Sequence, residues 1–239
     1  MKTVLITGAY RGLGYEVARI LSLRAWKVIL TARHKDKGAA AAANLDNASF
    51  LELDITDDDS VARAAKRVAN LDVLINNAGR PQPKGITELT EGEWNATIDV
   101  NLKSCFNWIQ PVVPHMLAAR YGRIVSMSSL NAHSGGVTAA VSKFAYAAAK
   151  AGIIGMTRSL AKELGPHILV NCVCPGLIKT EVGRNAVIRE REPELVKGIA
   201  LNRVGTPRDV GEVVAFLAAS EPCFVTGQDI IIDGLQWNQ

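Results

Sequence analysis

No apolar run in the 239-residue sequence approaches the roughly 18 residues that a membrane-crossing helix needs, so no transmembrane span is expected. No block of five like charges occurs, and the net charge is only 27 − 23 = +4, which gives nucleic-acid binding little support. Cysteine is scarce: Cys105, Cys172, Cys174 and Cys223. Cys172 and Cys174 alternate in an apolar run and should point to one face of a strand. No second Cys/His cluster accompanies them in the sequence, so they read as structural and no metal site is expected. The opening MKTVLITG runs directly into a strand pattern and leaves no room for a signal peptide. A cytoplasmic protein with reduced thiols is therefore expected, and the sequons at Asn47 and Asn95 carry little weight. No internal repeat is evident, and the one low-complexity tract is GAAAAAN at 38–44, read as a surface helix.

Hydrophobic residues make up 48% of the chain and charged residues 21%, enough for a sizeable core. Short Val/Ile/Leu-rich runs recur at 3–8, 27–32, 50–55, 72–79, 122–129, 168–176 and 228–234. The first few are nearly continuous in apolar character rather than alternating, as strands covered by helices on both faces are. Helical patterns lie between them, such as LGYEVARILSLRA and SVARAAKRVANL, the second preceded by the capping run Thr56–Ser60. Seven strands alternating with helices predict one α/β domain over 1–239, a doubly wound, Rossmann-type, seven-stranded parallel sheet flanked by helices. Ligands of such a sheet sit beyond the carboxyl ends of the strands. The irregular segments at about 130–143 and 177–203 both follow a strand and should border that crevice.

The loop TGAYRGLG follows the first strand and opens the first helix. Gly8, Gly12 and Gly14 permit positive φ and let a phosphate approach the backbone, while Tyr10, Arg11 and Leu13 stand between them. The helix N-terminus behind the loop offers N–H groups and a positive dipole end to a pyrophosphate. Further along, KFAYAAAK at 143–150 sets Tyr146 and Lys150 four residues apart, on one helix face. Tyrosine has an ordinary pKa of about 10, so about one phenol in a thousand is ionised at pH 7, and a nearby cation favours the phenolate.

The spacing G-x-x-x-G-x-G, with NNAG at 76–79 and YAAAK at 146–150, resembles the short-chain dehydrogenase/reductase family, and in particular its 3-oxoacyl-[acyl-carrier-protein] reductases. NLKS at 101–104, PG at 175–176 and NRVGTPRDV at 202–210 resemble family patterns too. The resemblance covers essentially the whole chain. It implies hydride transfer between a nicotinamide cofactor and a carbonyl or secondary alcohol. Tyr146 would be the acid in reduction and the base in oxidation, and Lys150 would support it and hold the nicotinamide ribose. Asn101 would hold a water linking the lysine to solvent. Asp54 and Ile55 would touch adenine. Asn77, Ala78 and Gly79 would wall the ribose, and Pro175, Gly176, Ile178 and Thr180 would surround the carboxamide.

The choice of cofactor turns on another absence. The second strand ends KVILTARH, with no acid between Trp26 and His34 to meet a ribose 2′-OH. Arg33 stands there instead, Arg11 lies in the glycine loop, and both match basic positions of NADP-preferring relatives. NADP(H) is therefore expected over NAD(H). Asp36 is the acid that could reverse this, but it lies beyond the strand end.

A reacting carbonyl oxygen needs a second hydrogen-bond partner. The strand GRIVSMSS ends in Ser129, which best matches the family serine, with Ser128 as the fallback. The stretch from Ser129 to Tyr146 is a few residues longer than in the family, so Ser134 and Ser142 also compete. His133 in this stretch reads as solvent-facing, with substrate contact as the alternative. The segment at about 177–203 resembles a substrate lid, and its Arg184, Arg189 and Arg191 read more simply as a solvated helix face than as an anion site. Trp237 looks exposed beside an edge strand. A homotetramer is the first assembly expected, with a dimer the alternative. The expected partner is a small carbonyl or alcohol substrate. A 3-oxoacyl thioester is the first candidate, and a sugar, polyol, cyclic ketone or steroid alcohol the next. A silent nucleotide-binding regulator would have a damaged Tyr/Lys pair, and here the pair is intact.

Overall fold

A computed structural model describes residues 1–68, 70–136, 142–180 and 192–237. Alternate residues of each central strand belong to two different cores. In β1 (Thr3–Ile6), Val4 and Ile6 face one side and Leu5 the other; in β4 (Val73–Asn76), Val73 and Ile75 oppose Leu74. This is why the runs read as continuously apolar. Each such side chain contributes about 1.5–3 kcal/mol by burial.

The other strands are β2 (Lys27–Ala32), β3 (Ala48–Glu52), β5 (Gly122–Met127), β6 (Ile168–Pro175) and β7 (Asp229–Ile232). All pairings are parallel, in the order β3-β2-β1-β4-β5-β6-β7. The expected sheet is thus observed. The strand order reverses between β1 and β4, which is where such sheets bind ligands. β3 starts two residues earlier than its apolar run suggests, because Ala48 and Ser49 still pair with Val28 and Ile29.

One face carries α1 (Gly12–Leu23), α2 (Lys35–Ala43) and, near the far end of the chain, a capped helix at Pro207–Ala219. The opposite face carries α3 (Asp58–Arg67), α5 (Ser104–Ala118) and α7 (Phe144–Leu164). The alanine tract in α2 is less of a surface helix than expected: Gly38, Ala41 and Ala42 are buried, and a Cβ at Gly38 would lie 2.0 Å from the Phe50 ring. Asp57 caps α3 by accepting from the Asp59 N–H at 3.1 Å. α4 (Glu91–Ile98) opens on a capping box between Thr90 and Glu93 and runs through a π-helical turn, Asp99–Lys103, into α5. A short helix, α6 (Asn131–Ser134), follows β5 and packs on α7. The helix at Pro207–Ala219 is called α8. Among the described residues, no helix is long and apolar enough to cross a membrane.

Candidate active site

The carboxyl ends of β1 and β4 are tied by two side chains, Thr7 and Asn77. Thr7 Oγ1 accepts from the Asn77 and Ala78 backbone N–H groups at 2.9 and 3.0 Å. Asn77 Nδ2 donates back to the Thr7 and Gly8 carbonyls at 2.8 and 3.1 Å. Asn77 therefore braces the glycine loop as well as lining the cavity beside it. Gly8 and Gly12 have φ of +63° and +62°, a region that favours glycine. A side chain at Gly8 would meet Ala78 at 3.0 Å, while none of the described residues lies within 4 Å of where one would stand at Gly12. Gly12 begins α1, so open space adjoins the N–H groups of its first turn.

The cavity beyond these strand ends has a volume of about 230 Å³. Leu13, Asn77, Gly79, Ser129, Tyr146, Lys150, Pro175, Gly176, Ile178 and Thr180 all line it, so ten of the expected site residues meet there. Arg80, Pro81, Met127 and Leu177 line it too, although their types carry no signal of a site.

α7 delivers Tyr146 and Lys150 together. The Lys150 Nζ lies 5.7 Å from the Tyr146 ring centroid and donates to the Met127 carbonyl at 2.6 Å. The lysine is only 3% exposed. An ammonium has three donors, so the Met127 bond fixes its position and leaves others for the cavity that Lys150 lines. A Cβ on Gly79 would stand 2.8 Å from Asn101 Oδ1 and 3.5 Å from Lys150 Nζ. Only glycine admits so close an approach of strand end, asparagine and lysine. Asn101 itself is fully buried in the π-helical turn, a feature that often marks functional positions. Its amide holds the Arg80 backbone on both sides, accepting from the N–H and donating to the carbonyl at 3.0 Å each, and donates to the Thr97 carbonyl at 2.9 Å.

The four serines separate clearly. The Ser128 hydroxyl donates to the Lys150 carbonyl at 2.7 Å, though Ser128 also borders the cavity. Ser129 is half-buried at the cavity wall, where its hydroxyl accepts from the Asn131 N–H at 3.2 Å. Ser134 donates to the Leu130 carbonyl on α6, and Ser142 is buried away from the cavity with its carbonyl held by Asn131.

At the other end of the strand row, Arg33 directly follows β2 and stands 4.0 Å from Asp54. Partial burial pushes the Asp54 carboxyl up. Hydrogen bonds from the Thr56 N–H and hydroxyl, with the Arg33 charge, outweigh that and hold it below the usual range. Arg11 lies 4.9 Å from the centroid of the Tyr10 ring, which meets His34 edge-on at 6.0 Å. Arg11, Arg33 and His34 are exposed, and Tyr10 is half-buried. Ile55 differs from its neighbour Asp54: its side chain belongs to the core, with 8% exposed. Asp36 sits in the first turn of α2.

Two expectations are corrected. Trp237 is half-buried rather than exposed, its ring 5.3 Å from that of His133. His133 is accordingly neither solvent-facing nor in the cavity: it points to Asp229, 3.0 Å away. Arg184, Arg189 and Arg191 lie outside the described residues.

A glycine loop at the strand-order reversal, with a Tyr/Lys pair on the facing wall, defines a nucleotide-dependent oxidoreductase. Residues 8–234 match the family model described as enoyl-(acyl carrier protein) reductase. The 3-oxoacyl-[acyl-carrier-protein] reductase of Thermotoga maritima is 38% identical over 98% of this chain and 96% of its own. That of Chlamydia muridarum is 33% identical, with the same coverage. Among solved structures, ElxO with NADP bound superposes with a TM-score of 0.87 at 31% identity, covering 98% of this chain and 97% of its own. A Brucella melitensis 3-oxoacyl-[acyl-carrier-protein] reductase with bound NAD gives 0.86 at 34%, covering 98% and 90%. The chain belongs to the short-chain dehydrogenase/reductase family, whose members are oxidoreductases acting on keto and CH–OH groups of small molecules.

Proposed function

We propose that the protein reduces a 3-oxoacyl thioester, carried on an acyl carrier protein, with NADPH as the preferred cofactor. The observation that carries the reading is the convergence of Tyr146, Lys150 and Ser129 on one cavity beside the glycine loop. The names of the T. maritima and C. muridarum relatives support the substrate class.

The residues fit a dinucleotide. Open space at Gly12 adjoins the α1 N-terminus, which suits a pyrophosphate. Arg33 and Arg11 suit a 2′-phosphate, which arginine grips through paired N–H donors. Asp54, Ile55, Asn77, Ala78 and Gly79 would border adenine and ribose, and Pro175, Gly176, Ile178 and Thr180 the carboxamide. When bound, the reduced nicotinamide supplies a hydride.

The chain's own work is protonic and electrostatic. The substrate carbonyl oxygen gains negative charge during reduction. Tyr146 gives it a proton, and Ser129 donates a hydrogen bond and fixes its direction. Lys150, held by Met127, places a positive charge beneath the phenol. Asn101 holds the Arg80 backbone beside Gly79 at the cavity wall. Residues 1–239 act as one domain, with about 177–203 as substrate lid.

We place the protein in the cytoplasm as a homotetramer. Apolar surface supports assembly: Phe216 on α8 is 47% exposed and Phe224, ahead of β7, is fully exposed. Light scattering on the eluting protein gives four chains if this is right; one or two refute it. The activity test follows NADPH and NADH absorbance with a 3-oxoacyl thioester, an enoyl thioester, a polyol and a cyclic ketone. Fastest turnover of the 3-oxoacyl thioester with NADPH supports the proposal. A preference for another substrate moves its class, and no turnover of any refutes it.

A further inference from the structure

Behind the cavity wall, three chain segments bring together residues that the reduction does not use. His133 comes from α6, Cys174 from β6 and Asp229 from the start of β7. One ligand-type atom from each lies within 4.8 Å of the other two. The sequence hides this group, because 41 residues separate His133 from Cys174 and 55 separate Cys174 from Asp229. It is the parallel pairing of β7 with β6, Cys172 beside Asp229, that closes the distance.

The three groups are close enough to share one occupant. The His133 Nε2 is shielded from solvent and is 3.0 Å from Asp229 Oδ2, yet it makes no well-directed hydrogen bond. An imidazole nitrogen, a sulfur and a carboxylate oxygen thus meet at one buried point, and among the described residues the nitrogen makes no hydrogen bond of good geometry. Cys174 is fully buried. Cys172, Ser128 and His133 are the polar neighbours of its sulfur. Ligand atoms around a tetrahedral zinc stand about 3.3–3.7 Å apart, given bond lengths of about 2.0–2.3 Å. The His133–Asp229 pair already lies near that spacing, and Cys174 needs to close by at most about 1.1–1.5 Å.

We propose that His133 Nε2, Cys174 Sγ and Asp229 Oδ2 bind a divalent cation of zinc type. Imidazole, thiolate and carboxylate together select zinc over magnesium or calcium, which take all-oxygen shells. The thiolate and carboxylate supply two negative charges for the ion. The opposing charge is Arg158 on α7, which holds the other Asp229 oxygen at 2.8 Å and leaves Oδ2 to the site. The Trp237 ring covers the imidazole. A fourth position remains for water or for Cys172. The ion would fasten α6, which directly follows Ser129, to the sheet edge and to the C-terminal segment.

The test uses the full-length protein, stripped with a chelator and titrated with cobalt(II), then zinc(II). The expected result is one cobalt per chain, retained through gel filtration. It should show a thiolate-to-cobalt charge-transfer band and intense tetrahedral visible bands, both abolished by zinc. Cys174→Ser should remove the charge-transfer band, while Cys223→Ser should leave it. Should Cys174→Ser fail to fold, His133→Gln and Asp229→Asn serve instead, each weakening cobalt binding by roughly tenfold or more. No retained metal in the folded wild type overturns the proposal and leaves an ordinary His133–Asp229 ion pair. A band that survives Cys174→Ser in folded protein overturns it too.

Discussion

The hydroxyl of Ser128 donates to the backbone carbonyl of Lys150, 2.7 Å away, so the two adjacent serines at the end of β5 have different work. Ser128 locks the strand to α7 at the lysine, and Ser129 faces the cavity. Ser129→Ala should lower kcat by about a hundredfold or more, the loss seen when one donor to a developing oxyanion is removed. Ser142→Ala should leave kcat within about twofold, given its place away from the cavity. Ser128→Ala should act mainly on stability, by about 1 kcal/mol. Steady-state kinetics and denaturant unfolding of the three variants check this. A larger kcat loss in Ser128→Ala or Ser142→Ala moves the serine role.

Arg33 stands 65% exposed at the end of β2, within 4.0 Å of Asp54. A charge-assisted contact to a 2′-phosphate is worth about 1.5–3 kcal/mol, or about 10–100-fold in affinity. Arg33→Ala should raise the NADPH dissociation constant by that factor and change NADH binding by about twofold or less. Fluorescence titration with each cofactor measures it, and an equal loss for both reverses the cofactor assignment.

Asn101 satisfies the Arg80 N–H and carbonyl from a fully buried position. Asn101→Ala strands those groups and should destabilise the protein by about 1–3 kcal/mol. Because Gly79 lies close to both Asn101 and Lys150, the same change should loosen the cavity wall at Gly79 and also lower kcat. Chemical denaturation and kinetics on one preparation read both effects. Unchanged stability would mean that the Arg80 contacts carry no load.

Asp209 is a titration probe of α8. The Arg203 guanidinium, paired with it through two contacts at 2.7 and 2.8 Å, holds its carboxyl well below the carboxylate range, and the Thr206 cap adds to this. A depressed folded pKa means that the unfolded chain binds more protons near pH 4, so the contribution is full above the unfolded value and is lost as pH falls. Asp209→Asn should cost about 1 kcal/mol at pH 7 after allowance for solvent screening. The gap in melting temperature from wild type should narrow between pH 5 and about pH 3. A gap independent of pH would show that the pair contributes nothing through charge.

The sheet was legible because its strands are covered on both faces, which makes them continuous apolar runs such as VLIN in β4 and ILVNCVCP in β6. The glycine loop and the Tyr146/Lys150 spacing were legible because both are local: one is a turn, the other one step along a helix. Legibility failed where function depends on contacts distant in sequence. The sequence ranked Ser129 above Ser128 by strand register alone, and the approach of α7 to β5 supplies the contact that occupies Ser128. Asn77 reads as a strand-ending turn, yet its amide reaches back 70 residues to Thr7. His133 and Trp237 look like surface residues until β7 brings Asp229 and the C-terminal segment against α6.

The most direct test of the account is Tyr146→Phe, assayed for NADPH oxidation with a 3-oxoacyl thioester and, in parallel, for NADPH binding. The phenol lies at the cavity wall, 5.7 Å from ring centroid to the Lys150 ammonium, and phenylalanine removes only the proton-donating oxygen. The account predicts a fall in kcat of about 10²–10⁴, the usual contribution of a positioned general acid, with the NADPH dissociation constant within about threefold of wild type. Turnover near the wild-type rate in a variant that binds NADPH normally would contradict it.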